Sequence, residues 1–364
     1  MTGREAKSLL DLPLREYRPV SRLVTRKTGV ERASYPAVDF HNHLGRWLSE
    51  DDQWTVPGAM SLLQTMRALN VEAMVNLDGR WGEELEKNLD RYDRAHPDRF
   101  ATFCHVDWDQ ARRPGFSERL VESLQRSAEA GAKGLKVWKD LGLRVRDPDG
   151  SLLMPDDPRL STLWEAAGEL NLPVLIHTAD PVAFFDPVDE TNERLEELLG
   201  NPDWSFHGPE FPSFGRLMEA LEQVVAGHPQ TTFIGAHFGC YAEDPASVGE
   251  MLDRYPNYFV DISARISELG RQPRASREAI VRNQDRVLFG TDVFPLEPDH
   301  VMPYFRFLET ADEHFPYSPE RVGRQGRWNI HGIDLPKSVL RRVYRDNARC
   351  LIPGIAQPSH QDMP

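Results

Sequence analysis

The sequence predicts an α/β fold, a (β/α)8 TIM barrel, on the basis of two observations. Short runs rich in strand-forming residues alternate with amphipathic helical segments, which is the pattern of a parallel sheet built from βα units. Turn chemistry also ends several helices just before the next run, as in Asn171-Leu172-Pro173 and Tyr255-Pro256-Asn257. Eight such runs, joined by crossover helices, are enough to close a barrel.

The predicted strands follow a polar, Arg-rich arm, and helical segments separate them. In chain order they are Ala37–His41, Glu72–Leu77, Ala101–Val106, Gly134–Val137, Val174–His177, Thr232–His237, Tyr258–Ile262 and Val287–Thr291. Polar side chains stand at or just after the ends of five of these runs. Because the carboxyl ends of all strands in such a barrel meet at one rim, these side chains are expected to lie close together.

One catalytic domain is the expectation for 364 residues of which 40% are hydrophobic. We predict an N-terminal arm over 1–36, the barrel over 37–352 and a C-terminal tail over 353–364. The longest loop insertions follow strands 5 and 8, from Thr178 to about Ser213 and from Val293 to Leu335. Both are expected to wall the pocket, although packing of the aromatic-rich first insertion on its own barrel would explain it equally well.

Composition and charge exclude several classes of partner. The chain has 57 acidic and 43 basic residues and a formal charge of −14, which disfavours binding to nucleic acid. Its three cysteines are too few and too scattered for a disulfide framework or a thiolate metal site, which indicates a reducing compartment. The sequence shows no signal peptide and no stretch that approaches a membrane span. We therefore expect a cytoplasmic protein without a membrane partner.

His41 and His43 form the first candidate for a metal site. They end the apolar run Val38-Asp39-Phe40-His41-Asn42-His43. Residues i and i+2 of a strand point to the same face, so this spacing directs both imidazoles to one point. A pair of half-buried polar histidines at a strand end is the alternative, and further ligands on other strand ends would decide between the two.

Four further strand ends carry suitable groups: Lys136 on the fourth strand, His177 on the fifth, His237 on the sixth and Asp292 on the eighth. Imidazole and carboxylate ligands suit Zn²⁺, and a position left to water makes such a site catalytic. The ion lowers the pKa of that water from 15.7 to about 7 and so supplies hydroxide at neutral pH.

The ordered set resembles the amidohydrolase superfamily of metal-dependent (β/α)8 barrels. Local detail is similar to the amidohydrolase 2 branch, which includes aminocarboxymuconate semialdehyde decarboxylase, resorcylate decarboxylases and several lactone or ester hydrolases. The resemblance covers about residues 36–352. Its motifs are Val38-Asp39-Phe40-His41-Asn42-His43, Ala236-His237-Phe238-Gly239, Phe289-Gly290-Thr291-Asp292 and Asp346-Asn347-Ala348.

The resemblance implies a role for each strand-end residue. His41, His43, His177 and Asp292 would bind the catalytic metal. His237 would polarise the scissile group or assist the metal-bound water, and Asp292 would also transfer the proton. One divalent ion is expected, with zinc favoured, while manganese, iron and a second ion stay open as alternatives.

Lys136 is the ambiguous member of the set. In binuclear members of the superfamily a lysine at this position is carboxylated and bridges two ions, and the fifth- and sixth-strand histidines hold the second ion. Lys136, and His237 with it, would be metal ligands only in that case. In the amidohydrolase 2 branch a lysine here can instead pair with a substrate carboxylate or a neighbouring acid.

Substrate-binding candidates lie near the same rim. They are Arg46, Arg80, His105, Trp138 and Arg265. A guanidinium can hold a carboxylate with two hydrogen bonds, so we expect a small-molecule substrate that bears a carboxylate. For each arginine the alternative is an ordinary salt bridge on the rim.

Two chemistries fit this set of ligands. The leading prediction is a metal-dependent hydrolase in which bound hydroxide attacks a small ester, lactone or amide. The alternative is a non-oxidative decarboxylase, a lyase that acts on an aromatic or muconate-type carboxylic acid. A catalytically silent barrel is a third hypothesis, but degenerate barrels are expected to lose a ligand and none is missing here. A homodimer follows only from the resemblance.

Overall fold

The computed structural model describes residues 9–13, 16–49, 52–320 and 323–356. Eight parallel strands form its centre. They are β1 (Ala37–Asn42), β2 (Val71–Asn76), β3 (Phe100–Thr102), β4 (Leu135–Val137), β5 (Val174–Ile176), β6 (Phe233–Gly235), β7 (Tyr258–Asp261) and β8 (Val287–Leu288). Strands β1 to β3 pair in one ladder and β4 to β8 in another, and each strand pairs with its successor in the sequence.

Backbone hydrogen bonds join the two ladders on both sides. Between β3 and β4, the Cys104 amide donates to Gly134 O at 2.9 Å, and the Lys136 amide donates to Cys104 O at 2.8 Å. Between β8 and β1, the Phe40 amide donates to Phe289 O at 2.9 Å. The eight strands therefore follow one another around a ring, which confirms the predicted (β/α)8 barrel.

Most strands end earlier than predicted, although β1 runs one residue further, to Asn42, and β4 ends at Val137 as expected. β8 stops at Leu288 rather than Thr291, and β3 stops at Thr102 rather than Val106. The chain turns out of the sheet soon afterwards, and His237 and Asp292 have φ angles of +56° and +59°. This left-handed region is sparsely used by non-glycine residues. Several predicted strand-end residues therefore lie in the first positions of the loops, at the carboxyl rim.

Helices cover the outside of the barrel. They are α1 (Ala59–Leu69), α2 (Gly82–Arg91), α3 (Phe116–Ala130), α4 (Ser161–Glu169), α5 (Leu195–Gly200), α6 (Phe214–Gly227), α7 (Pro245–Arg254), α8 (Pro273–Arg282), α9 (Pro298–Glu309), α10 (Lys337–Arg341) and α11 (Asn347–Leu351). In α3, Phe116, Leu120 and Leu124 recur every four residues and are buried, which makes one apolar face. Gly131 ends that helix in the left-handed conformation, where its amide donates to Ser127 O.

The core has two layers. Side chains between the strands and the helices form the larger layer. A second cluster fills the barrel interior, where Phe40 and Phe103 pack edge to face at 5.9 Å and contact small and branched residues of the neighbouring strands. Because this interior is packed with side chains, the barrel is solid, and the space for a ligand lies at the rim.

The two insertions lie where the sequence placed them, after β5 and β8. The first contains α5, and the second contains α9 and a short antiparallel ladder between Phe315–Pro316 and Asn329–Ile330. The described part of the arm runs beside the second insertion, where the Thr28 amide and hydroxyl donate to Asp312. Residues 1–8, 14, 15 and 357–364 of the predicted arm and tail lie outside the described residues. The boundaries of arm, barrel and tail stay a prediction.

No helix in the described part of the chain is both long and apolar enough to cross a membrane.

Asp39 joins the first and last strands at the rim. Its fully buried carboxylate accepts hydrogen bonds from the Thr291 amide at 2.9 Å and the Thr291 hydroxyl at 2.6 Å. It also accepts from the Asn42 amide group at 3.0 Å and the His41 backbone amide at 3.3 Å. Four buried donors therefore depend on one side chain.

We predict that Asp39→Ala lowers the free energy of unfolding by about 2–4 kcal/mol, because these donors lose their charged acceptor. Asp93→Ala is the matched control. The half-buried carboxylate of Asp93 accepts from only the amide and hydroxyl of Thr102, so we expect a loss of about 1 kcal/mol. Urea unfolding of both variants measures the difference, and equal losses would contradict the role given to Asp39.

Candidate metal centre

His41 and His43 point to one place, as their spacing predicts. Their ring centroids are 5.5 Å apart, and both side chains are buried. The Nε2 atoms of His41 and His43 lie 3.9 Å and 3.3 Å from Asp292 Oδ1. Two ligands that each bind one ion at about 2.1 Å are roughly 3–4 Å apart. These separations therefore fit three ligands of one cation.

His237 forms a second set of candidate metal ligands with His41 and Asp292. Ligand atoms of His41, His237 and Asp292 all lie within 4.8 Å of one another. The left-handed backbone at His237 turns its ring inward, 4.7 Å from the ring of His41. The structure thus brings His237 to the metal side of the pocket, where the sequence analysis expected it to polarise the substrate or to hold a second ion.

His177 lies next to this group but makes a different contact. Its ring centroid is 4.4 Å from that of His237. Its Nε2 is 3.2 Å from Asp180 Oδ1, and Asp180 also forms an ion pair with Lys139. The other ring nitrogen, Nδ1, is buried without a hydrogen-bond partner. The role of His177 as a ligand stays a prediction, with Nδ1 as the free atom.

Two buried aspartates orient the first pair of histidines. Asp261 Oδ2 lies 2.8 Å from His41 Nδ1, and Asp78 Oδ1 lies 2.8 Å from His43 Nδ1. A proton on each Nδ1 donates to the carboxylate and leaves Nε2 free to bind a cation. Asp261 Oδ1 also accepts from the His237 backbone amide at 3.0 Å, so one carboxylate supports two of the candidate ligands.

Burial and charge shift the ionisation of these groups. Burial lowers the pKa of His177 to about 4 and that of His237 well below its usual range, which keeps both imidazoles neutral and able to bind metal. At His43 burial also acts to lower the pKa, but the negative charges of Asp78 and Asp292 outweigh it and raise the value to about 9, so without a cation Nε2 also carries a proton, which a bound cation would displace. For Asp292 the burial penalty is outweighed by His41 and His43, so its pKa is lowered and it is ionised at neutral pH.

Lys136 is buried behind the site. Its Nζ has no hydrogen-bond partner in the described part of the chain and lies 5.0 Å from the centre of the Trp138 ring. Burial lowers its pKa to about 8, although the charges of Asp261 and Asp292 oppose the shift. Burial thus favours the deprotonated amine that carboxylation requires. Whether Lys136 is a metal ligand stays a prediction.

The centre opens into a cavity of about 820 Å³ that both insertions wall. Its lining includes the candidate ligands His41, His43, His177, His237 and Asp292, and the predicted substrate-binding residues Trp138 and Arg265. Its aromatic lining comprises Trp47, Trp138, Phe184, Trp204, Phe294, Tyr304 and Tyr317. The aromatic residues of the first insertion thus both pack on the barrel and face the cavity.

Three predicted substrate-binding residues are not brought to this cavity. Arg46 forms a two-bond ion pair with Glu84, which makes it the rim salt bridge that was the alternative. The guanidinium of Arg80 stacks over the rings of Trp47 and Trp81 at 4.8 and 4.3 Å. His105 donates from Nε2 to a backbone carbonyl at 2.6 Å and lies behind Trp47, and burial lowers its pKa to about 3.

Four side chains that organise the site were not identified from the sequence, the first of them Asp78, which follows β2 and contacts His43. Asp261 ends β7, and this strand-end carboxylate follows the same pattern that identified the other candidates. Asp180 stands three residues after His177, a spacing that could have suggested a contact. Tyr304 lies on α9, and its position in a long insertion gave no signal.

Comparison with known proteins identifies the family of this chain. The sequence model of the amidohydrolase family designated Amidohydro_2 matches residues 38–353. The chain belongs to this family. It is therefore a member of a metal-dependent enzyme superfamily, as the motif resemblance implied. Comparison with curated protein sequences found no significant match.

Solved structures similar to this amidohydrolase share its fold. The structure of 2,6-dihydroxybenzoate decarboxylase complexed with 2,6-dihydroxybenzoate has 18% identity and a TM-score of 0.56, and the match covers 87% of this chain and 99% of that one. An uncharacterised TIM-barrel protein from Bordetella bronchiseptica has 14% identity and a TM-score of 0.56, with 86% and 97% covered. A dihydroxybenzoic acid decarboxylase from Polaromonas sp. JS666, with bound manganese and the inhibitor 2-nitroresorcinol, has 14% identity and a TM-score of 0.55, with 87% and 96% covered.

We predict that Asp261→Asn in this amidohydrolase weakens the affinity for Mn²⁺ or Zn²⁺ by about 10- to 100-fold, because the amide no longer orients His41 as the carboxylate does. Isothermal titration of the metal-free protein measures the affinity. Asp312→Asn is the control, since Asp312 has an equally buried side chain but pairs with Arg306 of the second insertion and with Thr28 of the N-terminal arm. If the Asp261→Asn protein bound metal as the wild type does, the proposed centre would be wrong.

Proposed function

We propose that the protein is a metal-dependent non-oxidative decarboxylase of a small aromatic carboxylic acid. One observation carries the proposal: a buried guanidinium, that of Arg265, lies beside the candidate metal centre in a cavity with aromatic walls. A guanidinium recognises a carboxylate, and flat aromatic walls select a planar group. The similar solved decarboxylases support this choice of substrate class, because one of them binds 2,6-dihydroxybenzoate.

The cation belongs with His41, His43 and Asp292, and His177 and His237 lie within reach of the same place. A divalent ion bound there supplies a Lewis acid that orients anionic oxygens and stabilises negative charge on them. Manganese and zinc are both compatible with imidazole and carboxylate ligands. We favour one ion per chain.

Arg265 would bind the substrate carboxylate. One of its terminal nitrogens donates to Ala264 O at 2.8 Å, which fixes the guanidinium and leaves its other donors for a ligand. Its positive charge reaches His237, where it contributes to the lowered pKa of that imidazole. The same charge also acts on Glu197 and Glu243, so burial of the guanidinium is partly compensated without a carboxylate bound directly to it.

The aromatic wall beside the centre would hold the ring. Trp138 lies 5.2 Å from His43, and Trp47 lies 4.7 Å from Trp138, measured between ring centroids. Phe294 packs against the other side of His43 at 5.0 Å. The indole Nε1 of Trp138 is buried and has no hydrogen-bond partner among the described residues. The wall thus offers aromatic surface for stacking.

Asp292 is the group that can move a proton. Because its pKa is lowered, it is a carboxylate at neutral pH and must first accept a proton, from a substrate hydroxyl or from water. In the decarboxylation the bond between the ring carbon and the carboxylate breaks, and its electron pair stays on the ring carbon. That carbon takes the proton held by Asp292, and carbon dioxide leaves. Each turnover consumes one proton, which Asp292 regains from water, so the carboxylate and one water give the ring product, carbon dioxide and hydroxide.

Hydrolysis of an ester, lactone or amide uses the same ligands and was the first prediction from the sequence. We now place it second, because the buried guanidinium and the aromatic wall add recognition of a planar acid, which hydrolysis does not need. The family assignment is compatible with both reactions. The two are separated by their products, since only one of them releases carbon dioxide.

We predict that the protein loaded with Mn²⁺ or Zn²⁺ releases carbon dioxide from one or more members of a hydroxybenzoate panel that includes 2,6-dihydroxybenzoate. Trapping of carbon dioxide and chromatography of the ring product measure the reaction. Asp292→Asn should lower kcat by at least about 100-fold, because the variant loses the proton carrier and a metal ligand. Hydrolysis of an aryl ester or lactone panel, with no carbon dioxide from any acid, would overturn the proposal.

We predict that Arg265→Gln raises KM for the acid substrate by about 10-fold or more, because the substrate carboxylate loses its charged partner. Arg46→Gln is the matched control and should leave KM unchanged, since Arg46 is paired with Glu84 outside the cavity. Steady-state kinetics of both variants give the comparison. Equal KM values for the two variants would remove Arg265 from substrate binding.

A further inference from the structure

A single tyrosine hydroxyl joins the two loops that carry Arg265 and Asp292. Tyr304 lies on α9, and its side chain is buried at the cavity wall. Its hydroxyl donates to Thr291 O at 2.8 Å and accepts from the Ala264 amide at 2.9 Å. The residues that follow these two partners in the chain are Asp292 and Arg265. The hydroxyl therefore holds the residue before each functional side chain.

Both loops contain backbone that costs energy to maintain. Ala264 has a φ of +51° and Asp292 has a φ of +59°, and neither residue is a glycine. Such conformations persist where surrounding contacts fix them, and they are concentrated at functional sites. The Tyr304 hydroxyl sits between these two strained positions, so it is placed to fix both.

The remaining contacts between the two loops are weaker. Among the described residues, the other bond of the Ala264 amide is a long one of 3.3 Å to Thr291 O. The carbonyl of Ala264 accepts from Gln325, near the far end of the second insertion, at 2.9 Å and from Arg265 itself, but neither bond reaches Thr291 or Asp292. Tyr304 thus supplies the short, well-aligned connection between the loop of the substrate anchor and the loop of the proton carrier.

We propose that Tyr304 is a positioning residue that sets the distance and orientation between Arg265 and Asp292. This proposal rests on the proposed function for the roles of Arg265 and Asp292. The connection between their loops rests on the fold alone. Tyr304 touches neither the substrate nor the cation in this account. It acts by fixing the distance and orientation between the guanidinium of Arg265 and the carboxylate of Asp292. A substrate bound by Arg265 then lies within reach of Asp292.

Tyr304→Phe tests this role because it removes the hydroxyl and keeps the ring. We expect kcat/KM for the acid substrate to fall by on the order of 10- to 100-fold, with a rise in KM and a fall in kcat, since both side chains lose their alignment. We also expect the affinity for Mn²⁺ alone to weaken by about 10-fold, because Asp292 is a candidate ligand. Manganese titration of the metal-free protein needs no substrate and no turnover.

Tyr344→Phe is the matched control. Tyr344 is buried as well, and its variant loses the hydrogen bond to Glu309 at 2.8 Å, on the outer side of the barrel away from the cavity, where Tyr304→Phe loses two bonds at the rim. Its variant should show the wild-type Mn²⁺ affinity and KM. Thermal unfolding of both variants shows whether each is folded and how much stability each has lost. A purely structural role for Tyr304 predicts that the two variants behave alike.

Ala264→Gly in the Tyr304→Phe background gives a rescue test. Glycine adopts a positive φ without the strain that alanine carries, so this second change should recover part of the lost kcat/KM and Mn²⁺ affinity. The proposal is overturned if Tyr304→Phe matches the wild type in Mn²⁺ affinity and in turnover, or if Tyr344→Phe loses as much. A protein that releases no carbon dioxide but shows the Mn²⁺ effect would contradict the proposed reaction and leave the positioning role supported.

Discussion

The arrangement of the site depends on the closure of the barrel between its first and last strands. Asp39 binds the amide and the hydroxyl of Thr291 across that junction, and the Asp292 amide donates to His41 O at 2.8 Å. His41 follows Asp39 by two residues, and Asp292 follows Thr291 directly. The hydrogen bonds that close the ring therefore also bring an imidazole and a carboxylate together, from parts of the chain about 250 residues apart.

Burial and charge give this rim its chemical character. Asp78, Asp261 and Asp292 place three carboxylates around the imidazoles in a buried pocket, where unpaired charge costs free energy. Histidine protons satisfy the first two carboxylates, and Asp292 keeps a negative charge that faces the candidate ligands. A divalent cation would compensate this charge. A buried negative charge destabilises a pocket that holds no counter-charge, and for that reason it favours the binding of a cation here.

The sequence predicted those features of the site that recur at each strand of the barrel. A polar residue at the end of a buried run reaches the rim because parallel strands share one direction, and this rule located His41, His177, His237 and Asp292. It could not locate Arg46 or Arg80, because loop side chains turn towards the nearest acid or aromatic ring. Longer-range partners were also beyond it. Tyr304 reaches the loop after β7 only because α9 folds back over the rim, and no local pattern encodes that path.

The most direct test of the account is to locate the metal. Elemental analysis of the purified protein, followed by anomalous diffraction at the absorption edge of the metal found, gives its identity, number and position. We predict one divalent ion per chain at the carboxyl rim, bound by Nε2 atoms of His41 and His43 and by Asp292. A protein that holds no divalent ion after incubation with zinc and manganese, or that binds one only outside this cavity, would contradict it.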